Sequence, residues 1–163
     1  MNKRHSVLLA FGSNLGDRVK NIEHALGLLN ETDTVELVKT SSYYKTEPMG
    51  EFSQPDFINS AALIFTTLNA KALLKLLKNI ELLVGRRPRA RWREREIDID
   101  ILLFDDVVMD DEELQIPHRQ MHKRNFVLTP AVEIAPDFLH PVLNKSIYEL
   151  KLQCSDTLNV VKM

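Results

Sequence analysis

The spacing of hydrophobic residues divides the chain into strands and helices. Apolar side chains recur every three or four residues in the predicted helices and alternate or run together in the predicted strands. In chain order, the predicted elements are a strand at 6–11, a helix opening at Asp17, strands at 35–46 and 57–67, a helix at 70–84, a strand at 97–104, a helix at 124–134 and a last helical turn or two at 146–152. The order β-α-β-β-α-β predicts an α+β, ferredoxin-like core, in which an antiparallel sheet carries helices on one face, followed by a C-terminal helical extension.

Length and composition fit one domain. The 163 residues are 44% hydrophobic and 27% charged, which is ordinary for a single globular unit. We expect one domain over residues 1–163, of which only 155–163 forms a loosely held tail. The single cysteine, Cys154, cannot form an intrachain disulfide, and the chain has no run of about 20 apolar residues that could span a membrane. These features favour an unprocessed cytoplasmic protein without a membrane partner.

Charge is balanced over the whole chain but concentrated in one loop. The net charge is −2, so the molecule as a whole has no pull toward nucleic acid or anionic lipid. Six arginines nevertheless lie within residues 86–96. Their guanidinium groups suit phosphate oxygens, and Trp92 among them could stack on a flat heterocycle. A solvated surface loop and an RNA contact are the alternative interpretations.

The strand at 97–104 carries two carboxylates where strands usually avoid them. Asp98 and Asp100 are two residues apart, so they project the same way with Cα atoms about 6–7 Å apart, and their charges repel unless a cation neutralises them. Carboxylates that hold partly hydrated Mg²⁺ are common in phosphate chemistry. A solvated face is the alternative, but the alternation predicts Leu102 and Phe104 on that same face.

Two polar positions outside the strand are ambiguous when taken alone. Asn59 opens an apolar strand, where its amide could pair with the edge of a heterocycle or satisfy nearby backbone groups. His118 follows the acidic strand, although a lone histidine is more often structural than catalytic. The chain lacks both common glycine-rich phosphate motifs, so the arginines would have to bind any phosphates.

Seven ordered stretches along nearly the whole chain carry a family resemblance. They are residues 11–17, 41–50, 54–59, 81–85, 91–92, 95–104 and 116–128. Together they resemble the 6-hydroxymethyl-7,8-dihydropterin pyrophosphokinase family, which transfers pyrophosphate from ATP to a pterin alcohol in folate biosynthesis. The resemblance implies an ATP-dependent enzyme that binds small molecules and no nucleic acid, and it implies a monomer.

The resemblance also implies a role for individual residues. It makes Asp98 and Asp100 the ligands of two Mg²⁺ ions and, together with Arg86 and Arg95, the catalytic residues. The implied ATP contacts are Glu81, Arg86, Arg95, Ile101, His118 and Arg124. The implied pterin pocket consists of Thr46, Pro48, Met49, Phe57, Asn59, Trp92 and Phe126.

The implied reaction is an in-line attack of the pterin hydroxymethyl oxygen on the β-phosphorus of ATP, which yields the pterin diphosphate and AMP. Asp100 or solvent would accept the proton, and the basic loop would close over bound ATP. Where the family usually shows Trp-Gly-Pro-Arg, this chain has Trp92-Arg-Glu-Arg95, which leaves the roles of Arg87 and Arg89 open. The remaining alternatives are an RNA-binding module and a relative that binds ATP without transferring anything.

Overall fold

The computed structural model, which describes residues 3–47, 54–90 and 93–163, is built around a six-stranded antiparallel sheet. The strands are β1 (His5–Ser13), β2 (Val35–Thr40), β3 (Tyr44–Thr46), β4 (Phe57–Thr66), β5 (Asp98–Phe104), β6 (Met109–Asp110), β7 (Gln115–Ile116), β8 (Leu139–His140), β9 (Lys145–Ser146) and β10 (Val160–Lys162). The helices are α1 (Arg18–Asn30), α2 (Ala70–Val84), α3 (Asn125–Ile134) and α4 (Ile147–Gln153), with a short 3-10 turn at Met121–Lys123. The sheet order is β10-β3-β4-β1-β5, and β2 also pairs with β4.

Hydrophobic patterning predicted the helices and the strands β1 to β5, but not the short strands β6 to β10. Helix α2 has the predicted bounds and ends at Gly85, whose φ of 121° suits a residue without a side chain. The predicted strand at 35–46 is divided into β2 and β3, because the Ser41 side chain accepts the Ala61 N–H between them. Within the described residues, no helix is long and apolar enough to cross a bilayer.

Helices cover both faces of the sheet: the two helices of the predicted core lie on one face, as expected, and the two later helices lie on the other. Helices α1 and α2 pack on the first face with Leu9, and helices α3 and α4 pack on the second face with Leu8. Adjacent strand residues point to opposite faces, and both leucines are fully buried. Helices α3 and α4 therefore supply a second hydrophobic layer.

A bulge in β5 corrects the predicted alternation of that strand. Leu9 pairs with Ile101 whereas Leu8 pairs with Leu103, which leaves Leu102 as an extra residue. After the bulge, Leu103 packs on the second face and Phe104 packs on the first, opposite to the prediction from strict alternation. The bulge lies beyond both aspartates, so they keep their common face.

The last residues are not the loose tail that the sequence analysis expected. Strand β10 pairs antiparallel with β3, with Val160 opposite Thr46 and Lys162 opposite Tyr44. The Met163 N–H continues this ladder by donating to the Tyr43 carbonyl at 3.0 Å. We refer to residues 154–163 as the C-terminal strap.

One buried hydroxyl on β4 yields a stability prediction. Ser60 is 2% exposed, and its Oγ has no hydrogen-bond partner among the described residues. Ser60→Ala should leave the free energy of unfolding unchanged or raise it by about 0.5–1 kcal/mol, because a buried unpaired hydroxyl loses its hydration without compensation. Urea unfolding measures the difference.

Thr66→Val on the same strand is the matched control. The Thr66 hydroxyl donates to the Thr34 carbonyl at 2.8 Å and accepts the Leu68 N–H at 3.1 Å. Its loss should lower the free energy of unfolding by about 1–2 kcal/mol. A comparable loss in Ser60→Ala would contradict the absence of a bond at Ser60.

Candidate functional site

Two adjoining clefts meet at one end of the sheet. The first lies between the second face of the sheet and the start of α3, and the second lies beside β5 and the acidic turn that follows it. The first is lined by Ala10, Phe11, Gly12, Thr46, Glu47, Gln54, Phe57, Asn59, Ser60, Arg93, Arg95, Asp98, Asp100, Arg124, Phe126 and Val127. The second is lined by Leu74, Lys78, Ile99, Asp100, Ile101, Glu112, Glu113, Leu114, Gln115, His118 and Arg119. Asp100 borders both clefts.

The register of the sheet explains why polar groups converge there. Gly12 on the central strand β1 pairs with Asn59 of β4 on one side and with Asp98 of β5 on the other. A side chain at Gly12 would meet Asn59 Nδ2 at 3.2 Å, so glycine leaves room for that amide. Gly12 therefore lies between the Asn59 amide and the Asp98 carboxylate and places no side chain between them.

Two arginines neutralise the first of the two carboxylates. Arg86 Nη1 donates to Asp98 Oδ1 at 3.0 Å, and Arg95 Nη1 donates to Asp98 Oδ2 at 3.2 Å. Both guanidinium groups are mostly buried. Arg86 and Arg95, which the sequence analysis selected from the basic loop, therefore meet at Asp98.

Asp100, the second carboxylate, is not bonded to a comparable pair of arginines among the described residues. Burial against the cleft walls, and after it the negative charges of Asp98 and Glu81, raises the pKa of Asp100 to about 7. Its side chain is still 42% exposed, because the clefts open onto it. His118 Nε2 lies 3.9 Å from Asp100 Oδ2, and burial together with the Arg124 charge lowers the pKa of that histidine.

Glu81 lies beneath this cluster and is not among the residues that line either cleft. It is buried on α2, where its Oε2 accepts the Ile99 N–H at 2.8 Å and its Oε1 accepts from Arg86 Nη1 at 3.1 Å. Burial is the largest influence on Glu81 and raises its pKa. Glu81 thus joins α2 to β5 and holds the Arg86 guanidinium, which in turn binds Asp98.

An ordered amide and two aromatic rings occupy the other side of the first cleft. Asn59 Oδ1 accepts from Thr46 Oγ1 at 2.7 Å, and both residues are buried. Phe57 and Phe126 line the same cleft, and the Arg124 guanidinium lies 5.7 Å from the centre of the Phe126 ring. Three further predicted pterin residues, Pro48, Met49 and Trp92, lie outside the described residues.

Sequence reasoning missed Asn14, a fully buried residue that joins three loops. Its Nδ2 donates to Gln54 Oε1 at 2.7 Å, its Oδ1 accepts the Arg95 N–H at 2.8 Å, and its own N–H donates to the Arg95 carbonyl at 3.1 Å. The only available signal was an amide directly after a buried strand. Asn14 fixes the backbone of Arg95 next to Gln54.

Arg89, whose role the sequence left open, is paired with a glutamate in this structure. Its Nη1 and Nη2 donate to the two carboxylate oxygens of Glu96 at 2.6 and 2.9 Å. This fork is the strong geometry for arginine and carboxylate, and it lowers the pKa of Glu96. Within the described residues, Glu96 thus closes part of the basic loop on itself.

Comparison with known proteins decides which family this architecture represents. The family model for 7,8-dihydro-6-hydroxymethylpterin-pyrophosphokinase (HPPK) matches residues 8–136. The chain belongs to the HPPK family. It is 42% identical over 148 residues to the 2-amino-4-hydroxy-6-hydroxymethyldihydropteridine pyrophosphokinase of Haemophilus influenzae, covering 91% of this chain and 92% of that protein. The Aquifex aeolicus protein of the same name is 39% identical over 90% of each chain.

Solved structures show a similar fold at low sequence identity. Wild-type Plasmodium falciparum HPPK-DHPS, crystallised with pterin and p-hydroxybenzoate, matches with a TM-score of 0.73 at 19% identity. The match covers 93% of this chain and 42% of that longer chain, so this chain spans less than half its length. The likeness supports a mixed α/β fold with an antiparallel sheet and four helices among the described residues.

The HPPK assignment confirms the family and the activity that the sequence predicted. HPPK enzymes transfer pyrophosphate from ATP to hydroxymethyldihydropterin in folate biosynthesis, with ATP as the co-substrate. The protein is therefore a pyrophosphokinase that acts on two small molecules.

The raised pKa of Asp100 predicts a stabilising substitution in the free protein. An unfolded aspartate titrates near pH 4, whereas folded Asp100 titrates near 7, so between these values the folded state binds more protons and wild-type stability falls as the pH rises. Asp100→Asn should remove this loss and raise the free energy of unfolding at pH 8 by about 1–2 kcal/mol. Three pKa units correspond to about 4 kcal/mol, and solvent screening of an exposed group reduces that figure.

Urea unfolding in EDTA at pH 4, 6 and 8 measures the effect, with Asp98→Asn as the control. The difference between Asp100→Asn and wild type should grow from pH 4 to 7 and then level off. Asp98→Asn should destabilise the protein, because it weakens two arginine bonds. Equal effects of the two substitutions would contradict the asymmetry between these carboxylates.

Proposed function

We propose that the two clefts bind the two substrates of one pyrophosphoryl transfer, with the pterin in the first and the adenosine part of ATP in the second. The observation that carries this proposal is that Asp100 borders both clefts. A group transferred between two substrates has to cross such a junction. Asp98 and Arg95 line the first cleft next to Asp100, and Arg86 binds the same Asp98 carboxylate, so the phosphates would lie close to both arginines.

The first cleft suits a flat heterocycle with polar edges. Asn59 is held by Thr46 and offers its amide to the ring edge, so it can bind a donor-acceptor pair on the pterin. Phe57 and Phe126 supply apolar surface for the ring faces. Pro48, Met49 and Trp92, which lie outside the described residues, are proposed as pterin contacts on the family resemblance alone.

The second cleft suits the nucleotide. Ile101 lies on the outer strand β5 of the described sheet and would offer backbone groups to the adenine. His118 lies beside Asp100, where it would contact a phosphate. Glu81 holds Arg86 in place for the same purpose.

The acidic pair fits magnesium. Two neighbouring carboxylates, one of which holds a proton near neutral pH, gain from a cation between them. Among the described residues, no three His, Cys, Asp or Glu side chains form a metal cluster. Mg²⁺ does not need one, because it commonly binds one or two carboxylates and completes its coordination with phosphates and water. Asp98 and Asp100 would hold two ions, which when bound polarise the phosphates and neutralise their charge.

The arginines would bind the transferring group. Each guanidinium carries five N–H donors, and the bonds from Arg86 and Arg95 to Asp98 involve only Nη1. Their other donors can bind phosphate oxygens as negative charge develops on them, and Arg124 offers a third cation across the first cleft.

This arrangement supports the following course for the reaction. The pterin hydroxymethyl oxygen forms a bond to the β-phosphorus while the bond from the β-phosphorus to the oxygen of AMP breaks. Asp100 is the proposed acceptor of the hydroxyl proton, since it faces both substrates. Closure of the basic loop would exclude water, which would otherwise hydrolyse ATP.

We propose four further properties at the level of the whole protein. The pairing order of β1 to β5 supports a ferredoxin-like core, with α3 and α4 as its extension. The chain would form one domain and act as a monomer in the cytoplasm. Its balanced charge and single cysteine support that location.

Product analysis tests the proposed reaction directly. Incubation with ATP, Mg²⁺ and 6-hydroxymethyl-7,8-dihydropterin should yield AMP and the pterin diphosphate in equal amounts, as measured by phosphorus NMR. EDTA should stop the reaction. Because Asp98 and Asp100 are the proposed metal ligands, Asp98→Ala or Asp100→Ala should reduce turnover by at least about 100-fold, beyond the usual cost of losing an outer-shell partner.

Each other product would exclude a part of the proposal. ADP in place of AMP would mean attack at the γ-phosphorus. Nucleotide binding without a pterin-dependent product would indicate a relative that binds ATP and transfers nothing. Full activity in either aspartate variant would remove that residue from the metal site.

Substitutions in the amide pair should affect the pterin alone. Asn59→Ala should raise the KM for the pterin by about 10- to 100-fold, because a site that has lost paired hydrogen bonds to its ligand binds it less tightly. Thr46→Val should have a smaller effect, since it frees the amide without removing it. Steady-state kinetics with each substrate varied measures both changes, and an equal rise in the KM for ATP would argue against Asn59 as a pterin contact.

A further inference from the structure

The C-terminal strap connects two walls of the first cleft. One wall is β3, whose Thr46 pairs with Val160 of β10. The other wall is the start of α3, where Arg124 and Phe126 line the cleft. The strap passes from this helix start to the edge of the sheet within a few residues.

Asp156 makes the connection to the helix. Its Oδ2 accepts the Asn125 N–H at 2.8 Å, and its Oδ1 accepts the Leu158 N–H at 3.0 Å. The first carboxylate oxygen thereby binds the first residue of α3, and the second fixes the strap as it turns toward β10. Asp156 is distant in sequence from the helix that it caps.

The helix depends on this outside cap. Its N-cap residue is Arg124, which has extended backbone angles and makes no capping bond with its side chain among the described residues. The first N–H groups of a helix have no partner within the helix and need an acceptor from elsewhere. A capping oxygen of this kind stabilises a helix start to a measurable degree.

The other end of α3 is tied to the same strand by a separate contact. Glu133 accepts from the Tyr44 hydroxyl at 2.6 Å and from the Ser42 N–H at 3.1 Å. Helix α3 is thus attached to the β3 region at both ends. The end held by Asp156 is the one that lines the cleft.

We propose that Asp156 is a positioning residue for pterin binding: its carboxylate holds the first turn of α3, with Arg124 and Phe126, against β3. This inference rests on the proposed assignment of the first cleft to the pterin. Without the cap, the first turn spends part of its time unwound. The apparent affinity for the pterin then falls in proportion to the fraction of molecules in which the wall is formed.

Kinetics of Asp156→Ala, with each substrate varied, test the proposal. The KM for the pterin should rise severalfold, up to the limit of about tenfold that the loss of one cap sets, while the KM for ATP should stay within about twofold. Asp156→Asn should recover most of the affinity, because an asparagine oxygen can still accept the Asn125 N–H. Amide hydrogen exchange at Asn125 should be about tenfold faster in Asp156→Ala and close to wild type in Asp156→Asn.

Ser146→Ala is the matched control. Ser146 caps α4 by accepting the Glu149 N–H, and it lines neither cleft. Its loss should lower the thermal midpoint as Asp156→Ala does and leave the pterin KM unchanged. If Asp156→Ala does not fold, Asp156→Ser, which retains a capping oxygen but cannot bind both N–H groups, takes its place and should raise the pterin KM severalfold.

The outcomes separate this inference from the proposed function. An active wild type combined with an unchanged pterin KM in Asp156→Ala overturns the role of Asp156 alone. Equal rises in both KM values, or an equal rise in Ser146→Ala, mean general destabilisation and overturn it as well. A wild type without pterin-dependent AMP release overturns the proposed function and this inference together.

Discussion

Burial of Asp100, together with repulsion from Asp98 on the same face of β5, sets the electrostatics of this site. Asp98 and Asp100 lie on the same face, because the strand is paired along β1 and its pleat directs both side chains to the first cleft. The protein neutralises Asp98 with two arginines and leaves Asp100 with a strongly raised pKa. The folded protein therefore attracts cations to the Asp98 and Asp100 carboxylates.

The surrounding structure holds that charge distribution in place. Glu81 fixes Arg86 from beneath, and Asn14 fixes the backbone of Arg95 from the opposite side. Both are buried and bind backbone or guanidinium groups, so they restrict where the two cations can lie. The two covered faces of the sheet serve different purposes: α1 and α2 give the first face a continuous core, whereas α3 covers the second face only as far as the first cleft.

Local patterns predicted the parts of this architecture that depend on local sequence. The period of α2, its glycine stop and the common face of Asp98 and Asp100 follow from spacing alone. The bulge at Leu102 could not be predicted, because it is defined by the register between β5 and β1. The role of Asn14 could not be predicted for a related reason, because its partners Gln54 and Arg95 are 40 and 81 residues away in sequence.

The order of the C-terminal strap could not be predicted from local sequence either. The strap also holds one wall of the first cleft. Its sequence is short and shows no sustained helix or strand period, so it resembles a free tail when it is considered alone. What orders it is backbone pairing with β3 and a carboxylate that binds the start of α3, and neither contact leaves a hydrophobic pattern. Arg124, at the start of α3, makes no capping bond with its side chain among the described residues, so the wall of that cleft depends on the strap, which lies outside the residues that the family model matches.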